Sequence, residues 1–198
     1  MALCIIPARG GSRRIPGKNK KLFHGKPIIA YSIMAAQDSG LFERVIVSTD
    51  DSDIYSIATA YGAEVHKRRP EDARDEVGTQ AVAKAVLEDM GNLPEYTCVI
   101  YPCAPMIDIE ALRFGFYVLQ GPPIDSMGGI QYVYTVDEDG TDAGQWYWGR
   151  VGAFMEGVPL TEARTVMVPK WSGAIDINTM DDWERAEKMY AKLTEVEA

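Results

Sequence analysis

Short apolar runs alternate along this chain with amphipathic patterns of helical length, and this alternation limits the possible folds more than any other feature. The apolar runs predict buried strands at residues 3–7, 44–48, 63–66 and 97–101. The periodic patterns predict helices at residues 27–39, 52–61, 79–90 and 108–119. Strands and helices that alternate in this way form βαβ units on a parallel sheet. A length of 198 residues suits one α/β domain, which we place at residues 1–198.

The pattern weakens after residue 120. Residues 121–129 are rich in turn-forming residues, and residues 131–136 predict a strand. The segment DEDGTDAG, at residues 137–144, predicts a turn. A last helix is expected at residues 180–193 because its apolar residues again recur with helical spacing.

Composition narrows the classes of function. The net charge of −9 argues against nucleic acid as a partner, because phosphate contacts need a cationic surface. No apolar segment approaches the roughly 20 residues of a membrane span, and no basic stretch precedes an apolar run at the start. Cys4, Cys98 and Cys103 lack metal-ligand spacing, and an odd count suits a reducing compartment. We therefore expect a cytoplasmic protein that binds neither nucleic acid nor membrane.

Positive charge is concentrated after the first predicted strand. Residues 1–37 contain seven bases and no acid, whereas the rest of the chain carries 13 bases and 29 acids. The loop ARGGSRRIPGKNKK follows the first strand, the place where open α/β sheets bind ligands. Its glycines allow backbone N–H groups to turn toward an anion, and its crowded bases repel one another unless an anion relieves them. The loop therefore predicts a site for a small phosphate-bearing ligand.

This loop contains neither GxxxxGK[ST] nor GxGxxG, the two common nucleotide motifs. It resembles instead the opening of the acylneuraminate cytidylyltransferases, which make CMP-activated nonulosonic acids. The resemblance is carried by IIPARGGSRRIPGKN, GKPIIAYSI, VIVSTDDSDI, YGAEVHKRRPEDARDEVGT and YPCAP, and it extends over nearly the whole chain. Two late segments, DAGQWYWG and IDINTMDDWERAE, are most similar to the pseudaminic acid branch.

The resemblance implies a nucleotide-diphospho-sugar transferase fold, a seven-stranded α/β/α sandwich with a mostly parallel sheet. It also implies CTP as co-substrate and Mg²⁺ as cofactor. By position, the implied contacts to the triphosphate or ribose come from Arg9, Gly10, Gly11, Ser12, Arg13, Lys18 and Asn19. The residues implied around cytosine are Arg69, Thr79, Pro102, Cys103 and Ala104. Arg13 stands where the family usually has lysine, which keeps the charge but changes its reach.

The family's Asp-x-Asp metal pattern resembles residues 176–178, where Asn178 replaces the second carboxylate. In an extended segment, residues i and i+2 share a face, so Asp176 and Asn178 can reach one cation. Magnesium prefers oxygen ligands, so the resemblance implies Asp176 as a Mg²⁺ ligand, with a weaker or water-mediated contact from Asn178. In the alternative, Asp176 is a turn residue before a helix that Thr179 or Asp181 caps.

For several other residues the sequence allows two interpretations. Gln145 and Tyr147 are candidates for sugar hydroxyls, whereas the tryptophans beside them suit the core or a subunit interface equally well. Asp50 either faces the nucleotide or caps the following helix. Cys103 is interpreted as a small wall residue, because no histidine has motif support as its activating base.

The predicted reaction is in-line attack by the anomeric hydroxyl of an acidic nine-carbon sugar on the α-phosphorus of CTP, with loss of pyrophosphate. Arg9, Lys18 and metal-bound Asp176 are the predicted catalytic residues. The chain lacks a stretch usual in the family between about residues 124 and 142, where relatives carry an arm that pairs two subunits. A homodimer and the identity of the sugar are thus left open. The alternatives are a nucleotidyltransferase for sialic, legionaminic or 3-deoxy-octulosonic acid or a sugar phosphate, and a non-catalytic CTP-binding relative.

Overall fold

Helices and strands alternate through most of the chain, as the sequence pattern predicts. The computed structural model describes residues 2–91, 93–121, 129–137, 139–162, 164–167 and 174–196. In chain order, its strands and helices are β1 (Ala2–Pro7), β2 (Leu22–Phe23), β3 (Lys26–Pro27), α1 (Ile28–Ser39), β4 (Phe42–Thr49), α2 (Ser52–Ala60), β5 (Glu64–Lys67), α3 (Thr79–Met90), β6 (Tyr96–Ile100), α4 (Ile109–Leu119), β7 (Tyr132–Val136), β8 (Asp142–Arg150), α5 (Val151–Glu156), β9 (Arg164–Met167) and α6 (Met180–Val196).

Seven strands of the described chain form one sheet in the order β5-β4-β1-β6-β8-β7-β9. Strand β8 runs antiparallel to both of its neighbours, and the other pairs are parallel. The predicted mostly parallel, seven-stranded sheet is confirmed. The chain winds outward from β1 to β5 and then continues on the other side of β1 with β6. Such a reversal of direction creates the crevice where α/β sheets bind ligands.

Helices cover both faces of the sheet and give the predicted three layers. One face packs against α1, α2 and α4 through residues such as Ile33, Ile54 and Leu112. The other face packs against α3 and α5 through Val86 and Phe154. Strand β1 is buried along its whole length because both of its faces are covered, which explains its unbroken apolar sequence.

Helix α6 packs beside the loop that follows β1. Its Trp183 is 1% exposed and meets Phe23 edge to face, with ring centroids 5.5 Å apart. Thr179 and Asp182 cap the helix reciprocally: Thr179 N–H donates to Asp182 Oδ2 at 2.8 Å, and Asp182 N–H donates to Thr179 Oγ1 at 3.2 Å. Asn178 N–H also donates to Asp182 Oδ2, so this cap holds Asn178 and Thr179 against the start of α6.

The sequence pattern missed β8, α5 and β9. Residues 142–144 were predicted to be part of a turn, but they begin the nine-residue strand β8. Trp146 and Trp148 are fully buried, so they belong to the core. Helices cover both sides of β8, so its sequence lacks the polar–apolar alternation that reveals a half-exposed strand. Part of the region where the chain was expected to be shortened, residues 124–128 and 138, lies outside the described residues.

No helix in the described ranges is long and apolar enough to cross a membrane.

Candidate active site

A cleft of about 460 Å³ opens at the carboxyl ends of β1 and β6, where the sheet reverses its winding. Pro7 ends β1, and Tyr101 and Pro102 follow β6. The other lining residues are Arg9, Ser12, Arg13, Arg14, Lys18, Asn19, Arg68, Val77, Thr79, Val82 and Asn178. The fold thus brings the predicted phosphate loop together with Thr79, Pro102 and Asn178, which lie far apart in sequence.

Asn19 holds the phosphate loop, residues 8–21, in shape. It is 5% exposed, and its Nδ2 donates to the Arg9 carbonyl oxygen at 2.9 Å. Its Oδ1 accepts a hydrogen bond from the Cys103 thiol at 3.0 Å. Gly17 adopts φ 63°, a left-handed conformation that favours glycine, just before the turn that carries Lys18 and Asn19. Asn19 therefore joins both ends of the loop to the segment after β6.

Cys103 and Ala104 follow Pro102 in the chain and are buried, 6% and 2% exposed respectively. Burial raises the pKa of Cys103 to about 12. Its thiol therefore stays protonated and donates to Asn19, which does not suit a nucleophile. Cys103 and Ala104 are not among the described residues that line the cleft, so they support its wall from within the core.

Carboxylates from distant segments meet the cations of the phosphate loop. Asp75 forms ion pairs with both Arg9 and Arg13, the latter at 2.6 Å. Lys20 forms ion pairs with Asp51 and Asp53 at 2.9 and 2.7 Å. The folded protein thus supplies internal counter-ions that relieve the repulsion within the loop.

Two further loop cations reach the segment before α6. Lys18 Nζ donates to the Ile177 carbonyl oxygen at 2.5 Å, and Arg14 Nη2 donates to Asn178 Oδ1 at 2.8 Å. Within the described part of the chain, no carboxylate pairs with Lys18, so its charge is available to a ligand.

The sequence left open whether Asp50 faces the nucleotide site or caps the following helix. In the structure Asp50 contacts the phosphate loop, and Asp51 caps α2. Asp50 Oδ1 accepts from the Gly10 N–H at 3.0 Å and so holds the phosphate loop. Asp51 Oδ1 caps α2 by accepting from the N–H groups of Asp53 and Ile54. A Cβ on Gly10 would lie 2.6 Å from Asp51 Oδ2, so this close approach requires glycine, whereas Gly11 faces open space. The Gly10 N–H is therefore engaged by Asp50 and is not directed to a ligand in this conformation.

Arg68, and not the predicted Arg69, lines the cleft. Arg68 continues the hydrogen-bonding pattern of β5, with its N–H donating to the Thr49 carbonyl oxygen at 2.8 Å, and it is 6% exposed. Successive side chains of an extended segment point in opposite directions, so Arg69 turns outward. The Arg69 side chain is 48% exposed and pairs with Asp72. The sequence alone does not give the strand's register, so it does not show which of the two arginines enters the cleft.

Asp176 lies against β8. Gly144 has φ +64°, and a Cβ there would lie 2.7 Å from the Cβ of Asp176. Asn178 Nδ2 donates to the Asp176 carboxylate. Among the described residues, no three His, Cys, Asp or Glu side chains form a metal-binding group. The Asp176 carboxylate fits Mg²⁺, because that ion commonly takes one or two protein oxygens and completes its shell with phosphates and water. The Asn178 amide oxygen accepts from Arg14 instead, so this amide must turn over before its oxygen can join Asp176 at an ion.

A second carboxylate, Asp142, approaches the same end of the cleft. Its Oδ2 accepts from the Tyr101 hydroxyl at 3.1 Å. Burial, followed by the charges of Asp142 and then Asp176, raises the pKa of Tyr101 well above its ordinary value. Tyr101 therefore remains a neutral hydrogen-bond donor, and no sequence signal had singled out this pair.

Gln145 and Tyr147 occupy the core rather than the cleft surface, contrary to the predicted contact with sugar. They are 2% and 1% exposed. Gln145 Nε2 donates to the Met106 carbonyl oxygen at 3.2 Å, and the Tyr147 hydroxyl donates to Thr79 Oγ1 at 2.9 Å. Tyr147 therefore reaches the cleft indirectly, through Thr79 and through an edge contact with the Tyr101 ring at a centroid distance of 6.2 Å.

The sequence profile of the family described as Cytidylyltransferase matches residues 3–119, from β1 to the end of α4. The chain is also 34% identical to the pseudaminic acid cytidylyltransferase of Campylobacter jejuni subsp. jejuni serotype O:23/36 (strain 81-176), over 221 aligned positions that cover 95% of each chain. The chain belongs to the cytidylyltransferase family. It is a nucleotidyltransferase, and its phosphate loop and cleft lie almost wholly within the segment that the family profile matches.

The chain is also similar to other cytidylyltransferases, in sequence or in fold. The chain is 51% identical to the CMP-N,N'-diacetyllegionaminic acid synthase of Legionella pneumophila over 115 residues, which cover 56% of this chain and 50% of that protein. The fold matches a CMP:2-keto-3-deoxy-manno-octonic acid synthetase solved with CTP, with a TM-score of 0.76 at 17% identity, covering 96% of this chain and 98% of that one. The 221 positions aligned with the Campylobacter protein exceed the 198 residues of this chain, so that relative contains residues that this cytidylyltransferase lacks.

Proposed function

We propose that this cytidylyltransferase transfers CMP from CTP to the anomeric hydroxyl of a nonulosonic acid resembling pseudaminic acid, with release of pyrophosphate. The observation that carries the proposal is a cleft at the sheet's switch point lined by five basic side chains. It lies in a chain 34% identical, over almost its whole length, to a pseudaminic acid cytidylyltransferase.

In this proposal, Arg9, Arg13 and Lys18 neutralise the triphosphate, and Ser12 and Asn19 lie within the same loop beside it. A charge-assisted hydrogen bond contributes about 1.5–3 kcal/mol, so three such contacts give substantial affinity even after desolvation costs. Asp75 pairs with Arg9 and Arg13 in the ligand-free arrangement. The triphosphate must therefore replace Asp75 as the partner of these two guanidinium groups.

The other end of the cleft is assigned to the base. Val77, Val82 and Pro102 give it apolar surface, and Arg68 and Thr79 give it hydrogen-bonding groups. A flat apolar wall with a few fixed polar groups is the usual composition of a small-molecule pocket.

The reaction proposed is attack of the sugar hydroxyl on the α-phosphorus, in line with the departing pyrophosphate. Such a reaction depends mainly on orientation and on preorganised positive charge. Arg9 and Lys18 would supply that charge from fixed positions, because Lys18 is already tied to Ile177 at 2.5 Å. Asp176 and Asn178 would hold Mg²⁺, which when bound supplies positive charge beside phosphate oxygens and lowers the pKa of a coordinated hydroxyl.

We place the reaction in the cytoplasm, since Cys4, Cys98 and Cys103 are free thiols buried in the core. Such thiols suit a reducing compartment.

The test is pyrophosphate release by the purified protein with CTP, Mg²⁺ and a panel of pseudaminic, legionaminic, sialic and 3-deoxy-octulosonic acids. We expect release with CTP and at least one nonulosonic acid, and little with UTP or GTP. If pyrophosphate is released only with 3-deoxy-octulosonic acid, the proposed acceptor is wrong, but CTP remains the nucleotide substrate. CTP binding without pyrophosphate release from any acid would indicate a non-catalytic relative.

A further inference from the structure

Four side chains form a continuous row from the protein surface to the cleft. Ser48 of β4 and His66 of β5 are register partners on adjacent parallel strands. Ser48 Oγ lies 3.1 Å from His66 Nδ1, and His66 Nε2 lies 3.0 Å from Asp89 Oδ2 on α3. At the other end, Arg68 Nε donates to Ser48 Oγ at 3.4 Å, and Arg68 Nη2 donates to the Ser48 carbonyl oxygen at 2.8 Å.

Donor chemistry is consistent with one direction along this row. A guanidinium only donates, so Ser48 Oγ accepts from Arg68. In the His66 tautomer with its proton on Nε2, the ring donates to Asp89 and the Ser48 hydroxyl donates to the bare Nδ1. The hydrogen bond from His66 holds the pKa of the Asp89 carboxyl below its ordinary value, so Asp89 is an ionised acceptor. Every member of the row therefore has one consistent role.

Arg68 is a buried cation without a paired carboxylate among the described residues. It is 6% exposed, and in the described ranges it forms no ion pair. Burial lowers its pKa, and the nearby charge of Asp50 opposes that shift. Two of its five N–H groups are held by Ser48. No Arg68 atom is among the buried polar atoms that lack a partner in the described chain, so its remaining N–H groups face the open cleft, where a ligand can accept from them.

We propose that Asp89, His66 and Ser48 form a hydrogen-bonded relay that fixes the Arg68 guanidinium in the cleft for the nucleotide, which makes His66 a positioning residue for CTP binding. The inference rests on the proposed function, because it takes CTP as the ligand of the cleft. Arg68 is the member that touches the nucleotide, and the other three act through it.

The row superficially matches the Ser-His-Asp order of hydrolases, but Ser48 cannot serve as their nucleophile. Ser48 is fully buried, and Arg68 donates to the same oxygen that would have to attack. A nucleophile must be open to substrate, whereas this serine lies under a guanidinium.

The experiment compares CTP dissociation constants by calorimetry, together with KM and kcat, for His66→Phe, His66→Asn and Ser48→Ala. Loss of the relay removes or loosens the Ser48 Oγ contact and leaves the bond to the Ser48 carbonyl oxygen to hold Arg68, which can then rotate. His66→Phe and Ser48→Ala should therefore each weaken CTP binding about tenfold while kcat changes little. The amide oxygen of asparagine can accept from Ser48 where Nδ1 does, so His66→Asn should stay within about twofold of the wild type. His24→Asn is the matched control, because His24 is the other histidine and its ring lies beside Glu187 and Tyr190 of α6.

A double-mutant cycle distinguishes positioning from general stability. In an Arg68→Gln background, His66→Phe should add no further loss of CTP affinity, because the residue that it positions is gone. An equal loss in both backgrounds, or an unchanged dissociation constant in His66→Phe, would overturn the relay. If His66→Phe does not fold, Ser48→Ala removes the same contact with little change in volume. Wild-type protein that binds no CTP would overturn the proposed function as well, whereas wild-type binding with unaffected variants overturns the relay alone.

Discussion

Lys18 Nζ donates a hydrogen bond to the carbonyl oxygen of Ile177 at 2.5 Å, across 159 positions of sequence. This contact joins the phosphate loop to the segment that carries Asp176 and Asn178. The candidate triphosphate site and the candidate metal site therefore share a wall. A reaction at the α-phosphorus needs both kinds of charge close together, and this contact provides that arrangement before any ligand binds.

Lys18→Met should lower kcat/KM for pyrophosphate release by about 10²–10³-fold, the usual loss when one preorganised donor to developing charge is removed. The free energy of unfolding should change little, because methionine preserves most of the side chain's length. Lys26→Met removes an exposed lysine near Tyr31 and serves as the control. A folded Lys18→Met variant with nearly normal kcat/KM would remove Lys18 from the catalytic site.

Asp75→Asn should tighten CTP binding by roughly threefold. Its carboxylate now pairs with Arg9 and Arg13, and exposed ion pairs of this kind contribute up to about 1 kcal/mol, which the ligand must overcome. Calorimetry with CTP measures the change, and Asp72→Asn is the control because Asp72 pairs with the outward-facing Arg69. Weaker binding in Asp75→Asn would mean that Asp75 orients the arginines instead of competing with the triphosphate.

Gly144→Ala should destabilise the protein by about 1–3 kcal/mol and reduce the apparent affinity for Mg²⁺ in pyrophosphate release. Gly144 has φ +64°, and the added Cβ would press on the Asp176 side chain. Gly140→Ala carries a similar backbone cost, at φ +78°, but its Cβ would meet open space. Urea unfolding and Mg²⁺ titration of both variants separate backbone strain from displacement of Asp176. Equal Mg²⁺ dependence in the two variants would argue against Asp176 as a ligand.

Asp51 should contribute stability that is lost in acid. Burial acts to raise the pKa of Asp51, but hydrogen bonds from the Ile54 N–H and from Lys20 outweigh it and hold that pKa below its ordinary value of 3.8. A carboxylate with a depressed pKa stabilises the folded state above its unfolded pKa, and this contribution disappears as pH falls through the folded value. Asp51→Ala should therefore cost about 1 kcal/mol at neutral pH, and this difference should shrink below pH 3.8.

Urea unfolding of wild type and Asp51→Ala between neutral pH and about pH 2 measures the effect. Asp53→Ala is the control, since Asp53 also pairs with Lys20 but does not cap α2. A cost that stays constant across this range would show that the carboxylate charge of Asp51 does not stabilise the fold.

Much of the fold was predictable because its signals are local. Helix α3 begins at Thr79 and ends at Met90, as its pattern predicts, and β1 and α1 differ from their predicted bounds by one residue each. Thr179 caps α6, as the sequence allowed, whereas α2 is capped by Asp51 and not by Asp50. Strand β8 was missed because Trp146, Tyr147 and Trp148 are all buried, so no alternation marked them as a strand.

The sequence by itself determined the α/β alternation, the cationic glycine loop after β1 and membership of the family, because periodicity, composition and motif spacing are properties of neighbouring residues. Only the tertiary structure decided that Arg68 instead of Arg69 enters the cleft, that Asp75 neutralises Arg9 and Arg13, and that Gln145 and Tyr147 lie in the core. These outcomes depend on strand register and on contacts between residues far apart in the chain. Such contacts are set by how helices and strands pack, which no local pattern encodes.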